Sequence, residues 1–253
     1  MKKVSFIISF LIILFLFSAC ARKQYMIKSV DGYLVEMNNR FDSHADPAMH
    51  SIVEIYKNRL DAEMDEVIGE AAISLTKSGT QSLLANLTSD AMYEFVTEIY
   101  GGTIDFAVIN NGGLRTSLNQ GPITIGNMYE IYVFENQLTL LKMSGKAVKE
   151  LFDGFAQRHT NSFSKNVRLV INNRKVETLM INGLPLDESA IYKVVTVDYL
   201  AEGNDGMRAF TQAENYIDFN LTLRDMMIRH IKKITVENKI VYAKPDDRIE
   251  IKE

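Results

Sequence analysis

The chain has 253 residues, 47% of them apolar and 24% charged, with a formal net charge of −4 at pH 7. That composition supports a substantial core, while mild acidity and the lack of a Lys/Arg run argue against nucleic acid as a partner. Cys20 is the single cysteine, which excludes an intramolecular disulfide and leaves stability to packing.

The opening stretch, MKKVSFIISFLIILFLFSAC, has Lys2 and Lys3, an apolar run over residues 4–17, and small residues before Cys20. This is the pattern of a secretory signal, too short and wrongly flanked for an ordinary transmembrane helix. The cysteine after Phe17-Ser18-Ala19 resembles a bacterial lipoprotein cleavage site. Residues 1–20 then form a lipoprotein signal peptide, with Cys20 as the lipidation site and membrane anchor. An incidental cysteine in an ordinary signal peptide is the alternative. The following "ARKQY" carries no acidic cluster of the kind that suggests surface display, which points to the periplasmic face of the outer membrane.

Residues 21–45 are expected to form a hairpin segment, because two short alternating runs flank Asp31-Gly32. Residues 46–253 read as one compact α/β (mixed α+β) domain of interleaved helices and mixed sheet. Asp46 caps a helix with Pro47 in its first position and Ile52, Ile55, Tyr56 and Leu60 as its apolar stripe. "EVIGEAAISL" reads as a strand. Leu83, Leu84, Leu87, Ala91, Phe95 and Ile99 recur at helical spacing up to Gly101-Gly102. "DFAVI" is a buried strand, and "QLTLLKM" is another, followed by a helix with Ser144 as its cap. Residues 167–197 read as a meander turning at Asn173-Arg174 and Asn182-Gly183. "LTLRDMMIRHIKKI" is a late amphipathic helix and "NKIVYA" a last strand.

Three stretches can carry chemistry. In "VINNGGLR" a strand runs into a turn whose Gly112 and Gly113 can expose consecutive N–H groups as an anion- or carbonyl-binding concavity, with Arg115 beside it. "VDYLAEGNDGMRAF" ends a second strand with Tyr199 and the turn Gly203-Asn204-Asp205, whose carboxylate can accept from a pair of hydroxyls. "YEIYVFEN" contributes Phe134. Taken singly, each has an ordinary alternative: a surface arginine, an Asx turn, or a core aromatic.

In order and spacing the stretches resemble the C-terminal, substrate-recognition domain of the 5'-nucleotidase / UDP-sugar hydrolase family. The match rests on "NGGLR", "YVFENQLTLLKMSGKAVKELF", "YKVVTVDYLAEGNDGM" and, upstream, "SLLANLTSDAM". The resemblance implies that Phe134 and Tyr199 sandwich a nucleobase and that Asp205 takes the ribose hydroxyls. It places Asn110 near the base and Arg115 on the ribose or phosphate side. This sequence departs from the family at Lys77-Ser78-Gly79-Thr80, where a further arginine is usual and Lys77 could partly replace it. It departs also at Ala85 and at Asn204, where glycine is usual.

In that family a separate domain with two divalent metals hydrolyses the phosphate ester. Here the histidines are His44, His50, His159 and His230, and no Gly-Asn-His motif follows Asp42-Ser43-His44. The expectation is a chain with no cofactor and no catalytic residues of its own, inactive alone. It would be the recognition subunit of a split 5'-nucleotidase, with a nucleoside or nucleoside monophosphate as ligand and a separately encoded metallophosphoesterase as partner. The alternative is a non-catalytic nucleoside-binding lipoprotein, and a third reading makes the chain a scaffold with a vestigial pocket.

Overall fold

The computed structural model describes residues 26–36, 38–44, 46–79, 81–158 and 161–252. The signal peptide, Cys20 and His159 lie outside them. Among the described residues no helix is long and apolar enough to cross a membrane.

Contacts divide the chain into residues 1–51 and 52–253. In the first unit Asn39–His44 form a short 3-10 helix, while residues 26–36 form no strand. The hairpin expected about Asp31-Gly32 is therefore absent there. Its apolar residues Met26, Ile27, Val30, Tyr33 and Leu34 are all exposed, and a two-stranded hairpin without a packed face is marginal in water.

Helix α1 (Pro47–Met64) begins where Asp46 Oδ1 accepts from the amides of Ala48 and Met49 at 2.8 and 3.2 Å. None of its residues is buried. The apolar stripe Ile52, Ile55, Tyr56 and Leu60 is exposed. Local terms hold this helix: its cap, and the Lys57–Asp61 pair one turn apart.

The second unit continues with β1 (Val67–Ala71), α2 (Leu83–Tyr100), β2 (Phe106–Asn110), β3 (Gly121–Thr124), α3 (Ile125–Ile131), β4 (Gln137–Ser144) and α4 (Gly145–Arg158). Then follow β5 (Asn161–Phe163), β6 (Val167–Asn172), β7 (Lys175–Ile181), β8 (Leu184–Pro185), β9 (Ile191–Val197), α5 (Asp198–Ala201), β10 (Asn215–Thr222), α6 (Leu223–Val236) and β11 (Ile249–Lys252). Helices α2, α4 and α6 start at hydroxyl caps: Ser82 accepts from Ala85 N, Ser144 from Ala147 N and Thr222 from Asp225 N. α2 stops at Gly101, whose φ of 66° is left-handed.

The main sheet has the order β10-β4-β9-β2-β5. β2 runs parallel to β9, and the other neighbours pair antiparallel. A second sheet, β11-β6-β7-β8, has β11 parallel to β6. The expected meander is thus broken. β6 and β7 turn at Asn173 and Arg174, with φ of 48° and 62°, but β9 leaves for the main sheet, because its run of buried residues Val194, Val195, Thr196 and Val197 needs cover on both faces. "NKIVYA" is not the last strand either. Only Val241 of it bridges, to Ala71, and β11 fills that role.

Packed on the main sheet, α2 and α4 bury most of their apolar faces. Phe152 centres an aromatic cluster, with ring centroids 5.5 Å from Phe106, 5.1 Å from Phe155 and 5.2 Å from Phe163. Near the end of the fold Arg248 is buried. Its guanidinium donates to Asp90 Oδ2 at 2.8 Å, to Asp246 Oδ2 at 2.6 Å and to the Phe163 carbonyl at 2.8 Å. This ties α2 and β5 to the stretch that leads into β11. Phe152→Ala removes the aromatic cluster's centre and should lower unfolding free energy by about 3–5 kcal/mol, read from urea denaturation followed by circular dichroism.

Candidate functional site

Three chain segments meet at one end of the main sheet, and strand direction is the reason. β2 and β9 are parallel, so their carboxyl ends lie side by side. Register pairs Phe106 with Val194 and Ala107 with Val195, and Thr196 Oγ1 donates to the Val108 carbonyl at 3.1 Å. β4 is antiparallel to β9 with Leu138 opposite Val197, so the residues entering β4 arrive at the same end. Open sheets place ligand crevices outside strand carboxyl ends for this reason.

A cleft of about 300 Å³ opens there, lined by Asn110, Gly112, Gly113, Arg115, Phe134, Asn136, Tyr199 and Asp205. Asn110 closes β2 and is buried, whereas Phe134 and Tyr199 are 46% and 40% exposed. Aromatics left this open at the mouth of a cleft are available to stack on a ligand. The Arg115 guanidinium lies 5.8 Å from the Phe134 ring centroid and donates weakly to the Gly112 carbonyl at 3.4 Å. Asp205 Oδ2 accepts from the Asn110 amide, and Asp205 Oδ1 accepts from the Tyr199 hydroxyl at 3.1 Å. That bond to the carboxylate raises the Tyr199 phenol above its ordinary pKa.

Gly203 and Asn204 do not line the cleft. They shape the turn behind it: Gly203 has φ 87°, and Asn204 Nδ2 donates to the Tyr199 carbonyl at 2.8 Å. Asp205 itself has φ 50°. Gly206 has φ 74°, a conformation that residues with a side chain rarely adopt, and Arg158 donates to the Gly206 carbonyl at 2.9 Å. At Gly113 a Cβ would come within 2.8 Å of Asn110 Oδ1. Lys77, the expected partial replacement for the family's further arginine, is engaged with the main chain here. Its ammonium donates to the carbonyls of Leu114 and Arg115 at 3.0 and 3.1 Å.

Asn136 and Arg224 were not legible as site residues. Asn136 lines the cleft because it immediately precedes β4, two positions after Phe134. Arg224 is buried beneath the Phe134 segment. It lies 4.1 Å from the Tyr129 ring centroid, donates to the Tyr132 carbonyl at 3.0 Å and pairs with Glu135. The neighbouring Leu223 amide donates to the Asn136 carbonyl at 2.9 Å. His230 lies elsewhere, in a cleft with Glu94 and Glu98, and burial lowers its imidazole pKa. Among the described residues no three His, Cys, Asp or Glu side chains form a group that could hold a metal ion. These donors do not fit a dinuclear centre.

Residues 63–212 match the family described as 5'-nucleotidase, C-terminal domain. The chain belongs to this family. Among relatives of the 5'-nucleotidase C-terminal domain, it is 24% identical over 192 residues to Protein UshA of Yersinia enterocolitica, covering 74% of this chain and 35% of that protein. It is 25% identical to Protein UshA of Escherichia coli, covering 77% and 36%. The chain therefore spans about a third of the length of these curated relatives. Among solved structures, a 5'-nucleotidase precursor from Thermus thermophilus superposes with a TM-score of 0.68 at 27% identity, over 80% of this chain and 42% of that one. The NAD nucleotidase of Haemophilus influenzae shares the fold at a TM-score of 0.62 and 20% identity, over 81% and 41%. The mixed α/β architecture of this chain is that of its family.

Arg224→Ala should release the segment from Tyr132 to Asn136 at a cost of about 1–3 kcal/mol. Hydrogen exchange should accelerate there while β2 and β9 keep their protection.

Proposed function

We propose that this chain is the nucleoside- or nucleotide-recognition subunit of a split 5'-nucleotidase, with phosphate-ester hydrolysis carried out by a metallophosphoesterase on a separate polypeptide. The cleft carries this reading: two half-exposed aromatics, an arginine, two asparagines and a carboxylate, drawn from three distant stretches, line one space at the end of the sheet. In this reading the base stacks on Phe134 and Tyr199 beside Asn110. The ribose hydroxyls donate to Asp205, and Arg115 faces the phosphate, where a charged partner strengthens its hydrogen bonds.

Divalent metals belong to the partner, since four histidines in the whole sequence are few for a dinuclear centre. Cys20 supplies a lipid anchor, and the protein works on the periplasmic face of the outer membrane. A second reading is a nucleoside-binding lipoprotein without a catalytic partner, which the same cleft lining would serve.

Titration calorimetry of the full chain in detergent tests the pocket. Phe134→Ala and Tyr199→Ala should each weaken nucleoside binding roughly 5- to 150-fold, the range of base–aromatic stacking. Their melting temperatures should stay close to that of the parent, because both rings are already partly in solvent. A parent protein that binds no nucleoside would sink the reading. In a phosphate-release assay with added divalent metal, the purified chain should leave nucleoside monophosphates intact; metal-dependent turnover by the chain itself would overturn the split arrangement. Cys20→Ala should abolish detergent partitioning of the processed protein, as followed by Triton X-114 phase separation.

A further inference from the structure

We infer that the Tyr199 hydroxyl makes this cleft selective for ligands bearing a vicinal diol, by fixing the Asp205 carboxylate with acceptor capacity left for two more hydroxyl donors. The inference rests on the nucleoside reading above and goes beyond it to a single atom. Asp205 stands in a left-handed turn at φ 50° and ψ 28°. Its Oδ2 accepts from the Asn110 amide and its Oδ1 from the Tyr199 hydroxyl at 3.1 Å, so each oxygen already holds one donor. An ionised carboxylate has about four acceptor positions, so about two remain, one on each oxygen. Two adjacent hydroxyls are what a ribose offers.

Both existing donors are themselves held. Asn110 ends the buried strand β2, and its Oδ1 abuts Gly113 so closely that a Cβ there would lie 2.8 Å away. Tyr199 sits in α5, where Asn204 Nδ2 reaches its carbonyl at 2.8 Å. The carboxylate is thereby pinned from two sides by separate elements before any ligand arrives. A phenylalanine at position 199 presents the same stacking face but leaves Oδ1 to solvent. The carboxylate must then be ordered by the ligand itself, and that ordering lowers affinity. One ring thus serves two parts of the ligand: its face meets the base and its hydroxyl sets the acceptor for the sugar.

Titration calorimetry of the full chain in detergent with adenosine and 2',3'-dideoxyadenosine tests this on the parent, Tyr199→Phe, Asp205→Ala and the double variant. Tyr199→Phe should weaken adenosine binding about 3- to 10-fold, the range of one hydrogen bond, with dideoxyadenosine binding unchanged. In the Asp205→Ala background the same substitution should have no further effect on adenosine. An unchanged adenosine affinity in Tyr199→Phe overturns the inference, as does an equal loss for both ligands; either leaves nucleoside recognition standing. Failure of the parent protein to bind either ligand overturns the inference and the reading beneath it together.

Discussion

Parallel pairing of β2 with β9 at the centre of the main sheet is the constraint on which the site depends. Parallel neighbours send their carboxyl ends the same way, so the turn after Asn110 and the turn holding Asp205 emerge side by side although 95 positions separate those two residues. An antiparallel β4 on the other edge of β9 then delivers Phe134 and Asn136 to the same end. The price of such a pairing is a long crossover, and here α3, β4, α4 and the strands β6, β7 and β8 of the second sheet are all built within it. Because β2 is buried along its whole length, slipping its register would carry Asn110 away from the sheet end and bring a polar amide into the core, at the cost of an unpaired buried group.

Segments that leave a sheet lose their ladder bonds, and their carbonyls need other donors. Around this cleft cations supply them. Lys77 serves Leu114 and Arg115, Arg158 serves Gly206, and Arg224 serves Tyr132. Each of these three could be taken for a ligand-binding charge from composition alone, yet each is committed to the main chain of a segment that lines or backs the cleft. The positive charge near the site is therefore largely scaffold, and Arg115 is the cation whose side chain lines the cleft.

Local signals were legible in the sequence wherever the chain contacts decide little. Caps at Asp46, Ser144 and the glycine stop at Gly101 stand where capping chemistry puts them. The turn residues Asn173 and Asn182 take the positive φ that asparagine tolerates. Pairing between distant strands was not legible, since periodicity names a strand without naming its partner. β9 looks like the continuation of β7 but belongs beside β2. The stretch around Val241 alternates correctly, with Ile240 and Tyr242 outward, and still makes only one bridge. The stripe of α1 has helical spacing without a buried face. Short elements such as α3 and β3 escaped because a few residues carry too little pattern. In the site, the lining residues other than Asn136 stand in stretches whose resemblance to the family names them, whereas Arg224 and Arg158 could not be named. Their roles depend on which carbonyl a folded neighbour leaves open.

Arg248 carries a consequence for how the chain comes to be folded. Its guanidinium bridges Asp90 on α2 and the Phe163 carbonyl on β5, and β11 beyond it zips onto β6. Asp90 and Phe163 stand 158 and 85 positions before Arg248. Until that contact forms, Asp90 lacks its buried cation and one edge of β6 stays unpaired, so closure of the unit waits on a contact of long sequence separation whatever the speed of its local helices. Arg248 and β11 together make the locking of two sheets and α2 a single late event rather than three early ones.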